Sequence, residues 1–259
     1  MRIVFLLTLL LVVTPFSDIF AAELVKWESP EGIKRLERSE AKADFFVLAN
    51  HFESQENKVY CGLASSAMVL NALKLGNTKI SKPLDDSLSK EERRYLPAGF
   101  NPIFERYTQE NVLNSRTKSK MEILGKPVVI NGKSVADFGL QLKQLATVLQ
   151  SNDVDITARV ANDAVPDETI RKELIANMQN PGDYVLVNYS RKALQQEGSG
   201  HISPLGAYDK KSDSFLILDV NPNAAGWVWV SAADLIASMR TFDTVENRGY
   251  VLVHKRKAL

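Results

Sequence analysis

Cysteine is almost absent from this chain: Cys61 is the single one among 259 residues. No intramolecular disulfide can form, and a thiolate-based structural zinc site, which needs several Cys or His ligands, is excluded. Histidine is scarce too, with only His51, His201 and His254, which argues against a histidine-rich metal site. Beyond Pro15 no apolar run is long enough to span a bilayer. Charge of one sign is lacking, since 32 Lys and Arg face 31 Asp and Glu for a formal net charge of +1. Without a long basic run or an aromatic-interleaved basic stripe, no nucleic-acid partner is expected. Lys255-Arg256-Lys257 reads as a solvated terminus. Internal repeats, low-complexity segments and Pro/Gly-rich linkers are also missing, so nothing marks a boundary between independent domains.

What the chain has is material for a core. Hydrophobic residues make up 45%, and three Trp, seven Tyr and eleven Phe argue against disorder. Its start reads as an export signal. Arg2 supplies the positive lead, Ile3 to Pro15 is apolar but short for a membrane span, and Ala21-Ala22 offers small residues for cleavage. The alternative is an uncleaved membrane anchor. The expectation is therefore a signal at 1–22 and one domain at 23–259. The mature protein would be exported, periplasmic or secreted, with no stable membrane insertion; an oligomer is compatible.

Patterning divides the domain into a helical half, about 23–150, and a sheet-rich half, about 151–259. Leu63, Ala67, Leu70 and Leu73 predict a helix opened by Cys61 and ended by Gly76. Residues 77–125 predict long loops with short helices around Glu91 and Phe104. Ser134 with Asp137 predicts the start of a second helix, whose apolar face is Phe138, Leu142, Leu145 and Leu149. A strand over Val154–Val160 and a helix after Pro166 follow. Tyr184–Tyr189, Phe215–Val220, Trp227–Val230 and Gly249–His254 predict strands, with a hairpin turn at 209–213 and a helix over Ser231–Met239. The fold class is α+β, helices first and a mostly antiparallel sheet second.

Cys61 sits where a helix N-terminus presents free N–H groups, which stabilise a thiolate. Its neighbour Gly62 would let a substrate approach the backbone. A small buried hydrophobe is the competing reading. His201, among small residues, and Asp219, at the end of the apolar strand Phe215–Val220, tip the balance. A carboxylate in so apolar a strand needs a partner, and two strands joined by the 209–213 turn can bring an imidazole beside it. The order Cys, His, Asp fits nucleophile, base and orienting acid. Gln55, six residues before Cys61, suits an oxyanion donor beside the Cys61 N–H.

The segments Gln55 through Tyr60-Cys61-Gly62-Leu63-Ala64-Ser65-Ser66 to Leu73, Val187 to Lys192, and Gly200-His201-Ile202-Ser203-Pro204-Leu205-Gly206-Ala207-Tyr208 resemble phytochelatin synthases. So does Phe215 to Val220, which matches the segment of that family's catalytic Asp. The similarity runs over roughly residues 45 to 255. It implies a papain-like fold in which Cys61 attacks the Cys–Gly amide of glutathione and His201 carries the proton to the departing glycine. A γ-glutamylcysteinyl thioester then goes to water or to a second glutathione. The resemblance also places Arg191 and Arg248 at the γ-glutamyl carboxylate, with Gly200 and Tyr208 as further substrate contacts. No cofactor is required, and cadmium or zinc would enter as the glutathione thiolate complex. No Cys-rich C-terminal part follows, so the chain resembles the short prokaryotic-type members, in which hydrolysis is expected to dominate. The polar stretch from about Lys79 to Arg106 would be a lid or an export-related insertion. Two other readings stay open: a papain-like peptidase trimming a leader or short peptide, and a non-catalytic binder of thiol–metal complexes.

Overall fold

The computed structural model describes residues 23–75, 77 and 80–254. The expected signal at 1–22 and Gly76 lie outside the described residues. In chain order the elements are β1 (Val25–Lys26), α1 (Pro30–Arg38), α2 (Phe45–Asn50), α3 (Cys61–Lys74), β2 (Leu84–Asp85), β3 (Phe104–Glu105) and α4 (Lys120–Ile123). There follow β4 (Val128–Ile130), β5 (Lys133–Val135), α5 (Leu142–Ser151), β6 (Asp155–Val160), α6 (Asp167–Met178), β7 (Tyr184–Ser190), β8 (Gly200–Asp209), β9 (Ser214–Ile217), β10 (Val228–Ser231), α7 (Ala232–Met239) and β11 (Gly249–His254). The class is α+β, and the seven-stranded sheet, in the order β1-β10-β9-β8-β7-β11-β6, is antiparallel throughout. Among the described residues no helix is long and apolar enough to cross a membrane.

Both faces of the sheet are covered, so its central strands read as nearly unbroken apolar runs. Leu186, Ile202, Leu216, Trp229 and Val251 join the residues of α3 and α5 in one core. Val185, Val187, Phe215, Ile217, Val230 and Leu252 pack with Ile170, Leu174 and Met178 of α6 and with Leu235, Ile236 and Met239 of α7. Helix α3 is buried nearly all round, because it lies between the sheet and α5.

Three local expectations need correction. Ser134 does not cap a helix: Asn131 and Gly132 both take positive φ (50° and 77°) and form the tight turn of a β4–β5 hairpin. The helix begins at Leu142 instead, capped by Gln141 and Gln144, and Phe138 is 61% exposed. Phe104 lies in the two-residue strand β3 paired with β2, not in a helix. Helix α1 was not expected, since its apolar periodicity is weak. Its ends hold it: Ser29 accepts from the Gly32 N–H at 3.0 Å, Pro30 opens the first turn, and Trp229 Nε1 donates to the Gly32 carbonyl at 3.1 Å.

One irregularity sets the position of the candidate acid. Between β8 and β9 the register slips at Gly206: Ala207 pairs with Leu216, but Leu205 pairs with Ile217. The Leu218 N–H then bonds the Pro204 carbonyl at 2.9 Å. In the slipped register Asp219 lies across from Ser203, which shares a strand face with His201 two residues away. Without the bulge Asp219 would lie across from Pro204, on the other face. Glycine is required at this bulge, since a Cβ at Gly206 would come within 2.9 Å of the Leu218 side chain.

Candidate active site

Cys61 is the first residue of α3, buried, in a cleft of about 290 Å³. Lys58, Val59, Phe138 and Leu140 line it, with the Val59 carbonyl against Gly139. Asn188, Gly200, His201, Asp243 and Arg248 line it too, with Arg248 against Gly200 and Asn188 bonded to Asp243. The imidazole of His201 lines the cleft beside Cys61, close enough for each group to shift the ionisation of the other. Its Nε2 lies 3.0 Å from Asp219 Oδ1, which leaves Nδ1 for the sulfur. The structure thus brings together the three residues that the sequence placed in two distant halves of the chain.

The electrostatics favour a thiolate–imidazolium pair. Burial pushes the Cys61 thiol up, but the His201 charge, its hydrogen bond and backbone hydrogen bonds from Ile202 and Gly62 outweigh it, and the net shift is downward. Burial pushes His201 down. The Cys61 charge and the hydrogen bond to Asp219 overcome it and bring the imidazole to about 8. Each group therefore favours the charged form of the other.

Asp219 is fully buried and saturated with donors. It accepts from Arg191 Nη2 at 2.7 and 2.6 Å, from the Asn221 N–H at 2.7 Å and from the Tyr189 hydroxyl at 3.3 Å, besides facing His201. Tyr189 also meets the His201 ring edge-on, at 5.7 Å between centroids. The imidazole is fixed on two sides.

The remaining expected site residues divide. Arg248 and Gly200 are in the cleft, and Gly200 is what admits the guanidinium: a Cβ there would lie 2.8 Å from Arg248 Nη2. Arg248 Nη1 donates to the Phe242 carbonyl at 2.6 Å and Nη2 to Asp243 at 3.1 Å, while the buried Nε donates to no acceptor. Arg191 is not a cleft residue, which corrects the expectation of substrate contact. It is 3% exposed and turned to Asp219, because a buried carboxylate requires a counter-charge within the protein. Tyr208 is also corrected. It lies seven residues along β8 from His201, roughly 23 Å at strand rise, and donates to Asp213 at 2.8 Å. Gln55 is buried, with its N–H on the Val220 carbonyl at 2.8 Å and its Nε2 on the Asn57 carbonyl at 2.6 Å; it does not line the cleft. Gly62 faces no open space: a Cβ would meet Leu140 Cδ1 at 2.9 Å and Ile202 Cδ1 at 3.2 Å, so close packing and not substrate approach requires glycine there.

Sequence reasoning missed Asn188, Asp243 and Lys58. Asn188 carried a signal of the same kind as Asp219, a polar side chain directly after the apolar run Val185-Leu186-Val187. Asp243 and Lys58 sit in loops with no pattern to mark them. A buried node behind the cleft was missed as well. Asp137 accepts from Lys118 Nζ at 2.8 Å, Gln141 at 2.9 Å, Gln144 at 3.2 Å and Thr244 at 3.0 Å. It neighbours Phe138 and holds Thr244, the neighbour of Asp243, and so links two segments that line the cleft. Among the described residues no group of three or more His, Cys, Asp or Glu is disposed to hold a metal ion.

Known proteins resemble this chain over most of its length. The phytochelatin synthase family model matches residues 17–85 and 98–250. The unmatched 86–97 fall within the polar stretch before Arg106. Glutathione gamma-glutamylcysteinyltransferase 3 of Lotus japonicus is 26% identical over 242 residues, 90% of this chain and 43% of that protein. Glutathione gamma-glutamylcysteinyltransferase 2 of Arabidopsis thaliana is 27% identical over 213 residues, 82% of this chain and 40% of that protein. The Schizosaccharomyces pombe glutathione gamma-glutamylcysteinyltransferase is 26% identical over 212 residues, 81% and 43% respectively. The chain spans about two fifths of the length of these relatives.

Proposed function

Because the chain belongs to the phytochelatin synthase family, we propose that it is a glutathione gamma-glutamylcysteinyltransferase that cleaves glutathione at Cys61. The observation that carries this reading is the buried Cys61–His201–Asp219 array, in which thiol and imidazole each favour the other's charged form, in a cleft small enough for a tripeptide. The Cys61 thiolate attacks the carbonyl carbon of the Cys–Gly amide. The Cys61 N–H, at the open end of α3, is the candidate oxyanion donor. His201 gives its proton to the departing glycine nitrogen, the C–N bond breaks, and γ-glutamylcysteine remains as a thioester on the sulfur. His201 then takes a proton from water, giving γ-glutamylcysteine, or from the amine of a second glutathione, giving a longer peptide.

Arg248 and Asp243 suit the γ-glutamyl head group, which carries a carboxylate and an ammonium. The partnerless Arg248 Nε supports a carboxylate acceptor there. A papain-like fold is supported by a nucleophile that opens a buried helix, packed on an antiparallel sheet that supplies base and acid. Cadmium or zinc enters this scheme as a thiolate complex of the substrate, and the protein acts outside the cytoplasm once its signal is removed. Incubation of residues 23–259 with glutathione, with and without cadmium, tests the reading. Free glycine and a γ-glutamylcysteinyl adduct on Cys61, both absent in Cys61→Ser, are expected. Glutathione recovered intact, with no adduct by mass spectrometry, would refute it.

A further inference from the structure

Lys58 lines the same cleft as Cys61, three residues before it. Its position is fixed although its side chain is exposed. The Val59 N–H bonds Asn57 Oδ1 at 3.0 Å, the Tyr60 N–H bonds the Asn57 carbonyl at 3.2 Å, and Gln55 Nε2 bonds the same carbonyl at 2.6 Å. This closed turn runs directly into α3 and leaves Lys58 little backbone freedom relative to the nucleophile.

The charges of the cleft are otherwise matched. Arg248 faces Asp243. His201 is held between Cys61 and Asp219. Among the described residues Lys58 makes neither ion pair nor hydrogen bond, and of the described cations lining this cleft it is the one without a counter-charge. Arg248 packs against Gly200, next to His201, and holds Asp243, whereas Lys58 precedes Val59, whose carbonyl packs against Gly139. A substrate whose amino acid head occupies the Arg248–Asp243 pair and whose scissile carbonyl sits at the sulfur must extend its leaving group away from that pair.

We propose that Lys58 is a specificity residue that binds the carboxylate of the leaving glycine. This deepens the glutathione reading and rests on it. The ammonium selects substrates that end in a free carboxylate one residue beyond the cleaved amide, and it disfavours peptides that continue further. Being exposed, the pair is modest and screened by salt.

The test compares glutathione with its C-terminal amide, γ-glutamylcysteinylglycinamide, by kcat/KM for release of glycine or glycinamide. The wild-type chain is expected to prefer the free acid by about five-fold at low salt, the size of an exposed ion pair. Lys58→Ala is expected to bring that preference close to one, chiefly through KM, and Lys58→Glu to reverse it. The rate of Cys61 alkylation by uncharged iodoacetamide reports that the variants are folded. A preference that survives Lys58→Ala overturns the role of Lys58 while leaving glutathione cleavage standing. Failure of the wild type to cleave either compound overturns the functional reading, and this inference with it.

Discussion

Replacing Asp219 by Asn tests the buried charge array most directly. The carboxylate has no solvent exposure, and Arg191, whose Nη2 lies 2.6–2.7 Å from both its oxygens, is only 3% exposed. Removing the negative charge leaves a guanidinium in the interior whose Nη1 already has no partner. Breaking a buried pair from one side costs about 3–5 kcal/mol, a large part of an ordinary domain's stability. Asn retains the shape but turns an amide toward the Arg191 donors, so the loss should fall in that range. Arg191→Met should cost a similar amount by stranding the carboxylate. The combination Asp219→Leu with Arg191→Met removes both charges and should return most of the stability, to within about 2 kcal/mol of wild type. Activity should behave differently. Either Asp219 variant deprives His201 of its orienting acceptor, and kcat/KM should fall about 10²–10⁴-fold, without recovery in the double variant. Urea unfolding gives the stabilities and glycine release gives the rates. A loss below about 1 kcal/mol for Asp219→Asn, or a double variant as unstable as the sum of its parts, would refute the argument.

Three further outcomes follow from the site and its surroundings. Alkylation of Cys61 by iodoacetamide should have a pH midpoint below that of an ordinary thiol, because the His201 charge outweighs burial; His201→Ala should move the midpoint upward, since burial alone raises it. The protonated imidazole should likewise contribute stability fully below about pH 6.5, fading as pH rises through about 8, which unfolding of wild type against His201→Ala across that window measures. Asp137→Ala should cost about 3–5 kcal/mol by stranding Lys118, whose side chain is 6% exposed, and should raise KM, because it frees the loops that carry Phe138 and Asp243; unchanged urea unfolding and KM would dismiss the node.

The sequence made the chemistry legible where a residue conflicted with its surroundings. Asp219 closes an apolar run, and His201 follows two residues small enough to leave room beside it. The strands of the second half were readable because alternation and continuous apolar runs report burial directly. The β4–β5 hairpin escaped because Ser134 and Asp137 mimic a cap, although Asn131-Gly132 was the stronger signal. Helix α1 escaped because its stability resides in its ends and in a contact from Trp229, 197 residues away. Arg191 could not be assigned from its position, since the same guanidinium serves a ligand or a buried acid depending on which lies nearer in three dimensions. The slip at Gly206 was invisible for a related reason: it exists only as a relation between two strands.

Nucleophile and base reside on elements that meet late, the thiol at the head of α3 and the ring on β8, 140 positions downstream. Until the sheet has formed against that helix, the ring whose charge does most to favour the ionised sulfur is missing, and the thiol stays closer to a common, sluggish mercaptan. Reactivity is thus an assembled property, and a half-made or unfolding polypeptide is shielded from its own chemistry by geometry alone.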